Sequence, residues 1–156
     1  MGVGKSTVTG TIAVSGREER EAVEQIVEKL FKALEAGDEA AIRGMFSPYA
    51  LENAADLDGK IREMIAYYPG ADGGYTGSCI TTNDKDAGKI RKILDIALMV
   101  TDKGKDYELV ICLQMKNDYE PSMEGVHLIE MIKVEEEPAG FQWKNEDDAP
   151  GVYVAE

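Results

Sequence analysis

The residues with the most familiar chemical meaning stand at the start of the chain, where Gly4-Lys5-Ser6 matches the end of a phosphate-binding loop. The full loop has a first glycine five residues before the second, a buried strand ahead of it and a helix behind it. The sequence holds no residue at that spacing from Gly4, and the residues after Ser6 are β-branched without a helical period. We therefore expect no nucleotide to bind here, and we predict a flexible or extended N-terminal arm over residues 1–16.

Metal ligands and thiols are few in this sequence. The chain has two cysteines, Cys79 and Cys112, and the single histidine His127. These three residues are far apart and form no known zinc pattern, and the acidic runs 135–137 and 146–148 lack the ligand order of a calcium loop. We therefore predict free buried thiols, solvated acidic edges, and no metal or other cofactor.

The charge balance limits the partners that the chain can have. Of 156 residues, 30 are acidic and 17 are lysine or arginine, which gives a formal net charge of −13. Nucleic acids and anionic membrane surfaces attract basic proteins, so we expect neither as a partner. No run approaches the roughly 20 apolar residues of a membrane span, and no signal peptide is recognised.

Helical periodicity dominates the first half of the chain. Val23, Val27, Leu30 and Leu34 fall on one stripe, behind a capping box that is expected at Ser15 and Glu18. Asp38 is expected to cap a second, short helix, and Asp56 a third that ends before Pro69-Gly70. Between these two, Ser47-Pro48 is expected to restart a turn.

The second half changes to a period of two residues. Strands are predicted over 73–82, 89–101, 107–116, 125–134 and 152–154, with a hairpin turn at Asp102-Lys103-Gly104-Lys105. The sequence therefore predicts one α+β domain over residues 17–156. In it, three N-terminal helices pack on one face of a curved, mainly antiparallel sheet of four to five strands.

The other face of this sheet is also apolar in the sequence. The residues assigned to it are Ile93, Ala97, Met99, Val110, Cys112, Ile129 and Met131. An apolar patch of this size on a soluble protein usually marks an interface. We predict a homodimer through this face, and the alternative is that the chain covers it itself, with the segment 141–154, which contains Trp143 and Tyr153, or with the N-terminal arm.

Several segments together resemble a known superfamily. The opening LFKALEAGDEAAIRGMFSP, followed by YYPGADGGYTG, VTDKGKDYELVI, MEGVHLIEMIKV and GVYV, is similar to nuclear transport factor 2-like (cystatin-like) proteins. The resemblance covers residues 18–154. It points to a branch of uncharacterised bacterial lipoproteins and secreted domains, which implies an extracellular or cell-surface protein. The lipid-bearing cysteine of such proteins has no counterpart here.

The same resemblance implies a pocket between the helices and the cone-shaped sheet. We assign its lining to Tyr68, Tyr75, Tyr107 and Glu130. Asp95 and His127 are further acid–base candidates, although His127 and Glu130 are three residues apart on a strand and point to opposite faces unless a bulge intervenes. No acid–base pair can be assembled, so the predicted function is a non-catalytic domain that binds a small ligand or a protein. The alternative is a small-molecule isomerase, dehydratase or hydrolase.

Overall fold

A computed structural model describes residues 8–155, and the motif Gly4-Lys5-Ser6 lies outside them. The helices are α1 (Arg17–Ala36), α2 (Glu39–Arg43), α3 (Pro48–Asn53) and α4 (Leu57–Tyr67). The strands are β1 (Gly10–Ala13), β2 (Tyr75–Asp86), β3 (Lys89–Asp102), β4 (Lys105–Asn117), β5 (Gly125–Lys133) and β6 (Gly151–Val154). Two short 3-10 turns, Pro121–Met123 and Val134–Glu136, flank β5.

The six strands form one open sheet in the order β1-β2-β3-β4-β5-β6. The four long strands pair antiparallel, and the short outer strands β1 and β6 run parallel to their neighbours. The α+β class and the mainly antiparallel sheet are thus confirmed, but the sheet has six strands where four to five were predicted. The added strand is β1, which lies in the predicted N-terminal arm and pairs with β2.

Among residues 8–155, four helices are present where three were predicted. The additional helix is α3, because the Oγ of Ser47 accepts a hydrogen bond from the N–H of Ala50 at 3.1 Å and Pro48 supplies the first helical position. Asp38 caps α2 in the same way, through the N–H of Ala41. The predicted capping box at Ser15 is wrong, because α1 begins after Gly16, which has φ +92° and makes no side-chain cap.

Two tight hairpins join the long strands. Ala87-Gly88 connects β2 to β3, and Lys103-Gly104 connects β3 to β4. All four residues have positive φ, as the type I′ turn of a two-residue hairpin requires. The predicted turn at Lys103-Gly104 is confirmed, and it fixes the register of the strands that carry the candidate site.

The helices bury the inner face of the sheet, as the helical stripe predicts. Leu30, Leu34 and Ile42 lie in one core with Leu109 and Ile111. Val27, Phe46 and Leu113 are buried there too, and Ile65 is partly buried against them. The inner face is therefore an apolar layer between helices and sheet.

The outer face differs from the prediction in β5. Ile129 and Met131 lie in the core beneath the helices and not on the outer face. The cause is a bulge, since Cys112 pairs with Leu128 and Leu113 with Val126, which leaves His127 without a partner in the ladder. The extra residue resets the alternation, so Leu128 and Glu130 face outward.

A segment that we call the strap, residues 137–150, runs over this outer face on its way from β5 to β6. Ile93, Cys112 and Leu128 form a small second core there, with Tyr153 of β6 packed against it. Trp143 of the strap is half-buried and meets Phe141 edge to face, with ring centroids 4.9 Å apart. The strap and β6 thus cover the middle of the outer face.

Candidate functional site

Three of the residues assigned to the pocket gather around one phenylalanine of α1. Tyr75 stacks on Phe31 with ring centroids 5.3 Å apart, and Tyr68 lies 6.4 Å from the same ring. Tyr107 meets Tyr68 edge to face, also at 6.4 Å. The end of α4, the start of β2 and the start of β4 bring these rings together. The structure therefore unites Tyr68, Tyr75 and Tyr107 in an aromatic cluster.

Two of the three hydroxyl groups of this cluster, those of Tyr68 and Tyr107, donate to protein acceptors. Tyr107 donates to the carbonyl oxygen of Gly70 at 2.7 Å, and Tyr68 donates to the carboxylate of Glu35 at 2.5 Å. Burial is the main cause that raises the pKa of both phenols, and nearby carboxylates add to the effect. Both side chains therefore stay neutral, and they act as hydrogen-bond donors and apolar walls.

A cavity of about 310 Å³ opens beside Tyr107, at the end of the sheet where β3 turns into β4. Its apolar lining comes from Pro69 and from Tyr107, which is otherwise almost fully buried. The polar lining consists of three lysines and three carboxylates: Lys103, Lys105, Lys133, Asp102, Asp106 and Glu135. The size and the mixture of an aromatic wall with a few charged groups are typical of a small-molecule site.

The carboxylates of this cavity have partners within the protein. Asp102 accepts a hydrogen bond from the N–H of Asp72 at 3.1 Å. Asp106 accepts one from Thr101 Oγ1 at 2.7 Å, and Glu135 lies 3.7 Å from Lys105 Nζ. Their negative charge is thus already stabilised by the chain.

The lysines are less fully paired. Lys133 Nζ lies 4.5 Å from the ring centroid of Tyr67, a cation–π contact. Tyr67 itself donates to Glu136 and accepts from the N–H of Lys133, and burial raises the pKa of Tyr67 to about 12. In the described part of the chain, no salt bridge includes Lys103 or Lys133. These two ammonium groups remain available to a ligand.

Glu130, the fourth residue assigned to the pocket, does not join the tyrosines. It pairs with Val110 and faces outward, where its Oε1 accepts a hydrogen bond from the N–H of Lys144 in the strap at 3.1 Å. Burial is the first cause that raises the pKa of Glu130, and the hydrogen bond from Lys144 opposes it. The structure therefore places Glu130 under the strap, on the opposite side of the sheet from the aromatic cluster.

His127 also lies against the strap, because the bulge in β5 puts it on the same side of the sheet as Glu130. Its Nε2 is 2.8 Å from the carbonyl oxygen of Asp148, so Nε2 carries the proton and donates. The ring stacks on Tyr49 of α3, and Nδ1 is buried without a hydrogen-bond partner among the described residues. His127 and Glu130 therefore both hold the strap, and each is bonded to its backbone.

The third acid–base candidate, Asp95, belongs to a cluster that sequence reasoning missed. Asp95 on β3 pairs directly with Cys112 on β4, and Glu146 of the strap reaches both. In the sequence, Asp95 and Cys112 lie in predicted strands, and Glu146 lies in an acidic run that was interpreted as a solvated edge. The cavity lysines were missed for a related reason, since only the hairpin turn brings Lys103 beside Tyr107.

Comparisons with known proteins identify the family of this chain but name no activity. A search of curated proteins finds no match. Within residues 8–155, none of the helices combines the length and apolar composition that a bilayer crossing requires. A family model described as a domain of unknown function (DUF5104) matches residues 29–134, from α1 to the end of β5. This match spans well over half of the sequence, and the chain therefore belongs to the DUF5104 family of domains of unknown function.

Proposed function

We propose that this protein is a non-catalytic domain that binds a small acidic ligand in the cavity beside Tyr107. The observation that carries the proposal is the gathering of three lysines at one cavity in a protein of net charge −13. The cavity carboxylates are held by the chain, whereas Lys103 and Lys133 have no anionic partner in the described residues. A ligand carboxylate or phosphate would supply that partner, and the Tyr107 ring would pack against its apolar part.

We further propose that the fold is nuclear transport factor 2-like and that the protein is exported or held at the cell surface. The support for the fold is the helical layer over one face of a long-stranded, mainly antiparallel sheet, together with the sequence resemblance. The support for the location is the resemblance alone. The enzyme alternative lacks a favouring observation, because the hydroxyl protons of Tyr68 and Tyr107 are donated to protein acceptors and Glu130 and His127 are bonded to the strap.

The ligand-binding proposal can be tested by NMR titration with a matched pair of probes, benzoate and benzamide. We expect benzoate at millimolar concentration to shift the amide signals of Lys103, Gly104 and Tyr107, and benzamide to shift them much less. Replacing both unpaired lysines, in Lys103→Gln/Lys133→Gln, should remove the difference between the probes. The control Lys60→Gln changes a half-buried lysine of α4 that pairs with Glu63, and it should leave the benzoate response intact.

Two outcomes would contradict this proposal. One is an absence of benzoate shifts at the cavity of the wild-type protein. The other is an equal response of the wild type and the double lysine variant, which would show that the ammonium groups do not recognise the ligand. Turnover of ester, phosphate or ketosteroid substrates that is lost in Glu130→Gln or His127→Ala would instead favour the enzyme alternative.

A further inference from the structure

A second group of chemically capable side chains lies on the opposite side of the sheet, beneath the strap. It consists of Asp95 of β3, Cys112 of β4 and Glu146 of the strap. One ligand atom from each residue lies within 4.8 Å of the others. Asp95 and Cys112 are cross-strand partners, so the sheet fixes their separation, and the strap adds the third group. Two rigid donors and one donor on an irregular segment thus converge on one point.

The spacing of these atoms suits a single small cation. Zinc binds sulfur at about 2.3 Å and carboxylate oxygen at about 2.0–2.2 Å, so in a tetrahedral site its ligand atoms lie about 3.3–3.7 Å from one another. The three atoms in the structure lie within 4.8 Å of one another, so they have to draw closer by up to about 1 Å when the ion binds. Glu146 is half-buried on the irregular strap, and its side chain is therefore the ligand that is least fixed by the sheet.

The local charge also favours a cation. Cys112 is fully buried, and Asp95 and Glu146 are half-buried. No salt bridge in the described range 8–155 includes either carboxylate. The two carboxylates therefore lie close together beside a buried thiol and without an ion-pair partner among the described residues.

We propose that Asp95, Cys112 and Glu146 bind a zinc ion, which fastens the strap to the outer face of the sheet. One thiolate with two carboxylates is a donor set for zinc, because magnesium and calcium take oxygen ligands only. The thiol of Cys112 loses its proton to solvent when the ion binds. With three protein ligands, one coordination position is left for water. This site is separate from the cavity beside Tyr107 and does not depend on the ligand proposed there.

Cobalt(II) is the probe for the test, since it takes zinc sites and gives a near-ultraviolet charge-transfer band when a thiolate binds it. We use the full chain without a histidine tag. One equivalent of cobalt should produce the band in the wild type and in Cys79→Ser, the matched control at the other cysteine. Cys112→Ser should lose the band. Zinc added in equal amount should remove the band from the wild type, because zinc binds more tightly.

Zinc affinity, measured by competition with a chromophoric chelator, tests the strap ligand. Glu146→Gln should weaken zinc binding by about tenfold or more, while Asp147→Asn, a change of the next and exposed carboxylate, should leave it unchanged. Binding of zinc should also protect the strap of the wild type from proteolysis, and that of Glu146→Gln much less. Glu146 is on an irregular segment, so this variant keeps the test valid if Cys112→Ser fails to fold.

Three results would overturn the proposal. The first is a wild type that gives no thiolate band with cobalt. The second is a band of full strength in Cys112→Ser, or one that is missing in Cys79→Ser although that variant is folded by circular dichroism. The third is equal zinc affinity in Glu146→Gln and Asp147→Asn, which would show that the strap carboxylate is not a ligand.

Discussion

The two faces of the sheet are buried by different kinds of structure. The inner face packs on regular helices through aliphatic and aromatic side chains, such as Leu30 and Phe31 against Leu109. The outer face is covered by the irregular strap, and the groups beneath it include Asp95, Glu130 and Cys112. The ionisable groups buried on the inner side include tyrosine phenols such as Tyr107, whereas burial on the outer side takes carboxyl and thiol groups out of water.

The two faces are therefore expected to differ in how much they contribute to folding and in which reactive groups they hold. Apolar burial stabilises a fold at about 25 cal/mol per Å², so the inner face is expected to supply most of the folding free energy. Burying an ionisable group makes its charged form less stable, and residues with strongly shifted pKa values are often found at functional sites. On the outer face, burial and the neighbouring Glu137 raise the pKa of Glu108 to about 7. The outer face is therefore expected to carry more of the groups that can react or bind an ion, and to contribute less to the free energy of folding.

The largest expected effect tests the inner half of this comparison. Leu30 is fully buried in the helix–sheet core, so Leu30→Ala should lower the free energy of unfolding by about 2–5 kcal/mol. The control is Ile80→Ala, at a side chain that is 69% exposed on β2, where the change should be within about 0.5 kcal/mol. Denaturant titration measures both. An unfolding midpoint that Leu30→Ala does not move would show that this stripe is not the core.

The inner face could be predicted from the sequence because one period governs each element. The stripe of α1 repeats every three to four residues, and Tyr107, Leu109 and Ile111 alternate along β4, so their sides follow from position alone. The aromatic cluster was anticipated in a different way. Tyr68 and Tyr107 were assigned to one pocket because the family resemblance implies such a pocket, and the structure brings their rings together.

The outer face could not be predicted in the same way, because its order depends on a single bulge. The unpaired His127 shifts the rest of β5 by one residue, which moves Ile129 and Met131 inward and Glu130 outward. No local pattern marks that position. The position of Glu146 is even harder to predict, since an acidic run in a loop gives no sign that one of its residues will lie next to Asp95.

The second prediction tests how the strap is held. Glu130 accepts a hydrogen bond from the N–H of Lys144, and Glu130→Ala leaves that donor without its partner. We expect a loss of about 1 kcal/mol in stability and a red shift of the fluorescence of Trp143, the single tryptophan of the chain, as the strap loosens. Glu52→Ala, at an exposed position of α3, is the control. Unchanged Trp143 emission in Glu130→Ala would mean that this bond does not hold the strap.

The third prediction concerns pH and the pair Glu108 and Glu137. The pKa of Glu108 rises from an ordinary 4.5 to about 7 on folding, through burial and then the hydrogen bond and charge of Glu137. Between these two pH values the unfolded chain has released a proton that the folded chain retains, so the contribution of Glu108 to stability falls as pH rises from 4.5 to about 7. Below 4.5 the group is protonated in both states.

Comparison with Glu108→Gln isolates this contribution from that of other carboxyl groups. Wild type should lose more stability than the variant between pH 4.5 and 7, and the two should run parallel above and below that range. Glu120→Gln, an exposed carboxylate, should follow the wild type throughout. Thermal unfolding across the pH series measures the difference, and parallel curves for wild type and Glu108→Gln over the whole range would refute the assignment.

The smallest expected effect concerns the part of the outer face that the strap leaves uncovered. Ala97 and Met99 are exposed there on β3 and are what remains of the apolar patch from which a homodimer was predicted, and the exposed Ile80 of β2 lies on the same face. Because the strap covers the rest, a dimer through this strip buries little apolar area and should be weak. Sedimentation equilibrium should show dimers only at high micromolar concentration and the 17.1 kDa monomer on dilution. Ile80→Glu should abolish the dimer, and Val134→Glu, at an exposed residue outside the strip, should not. A wild type that stays monomeric at every concentration would mean that the strap alone satisfies this face.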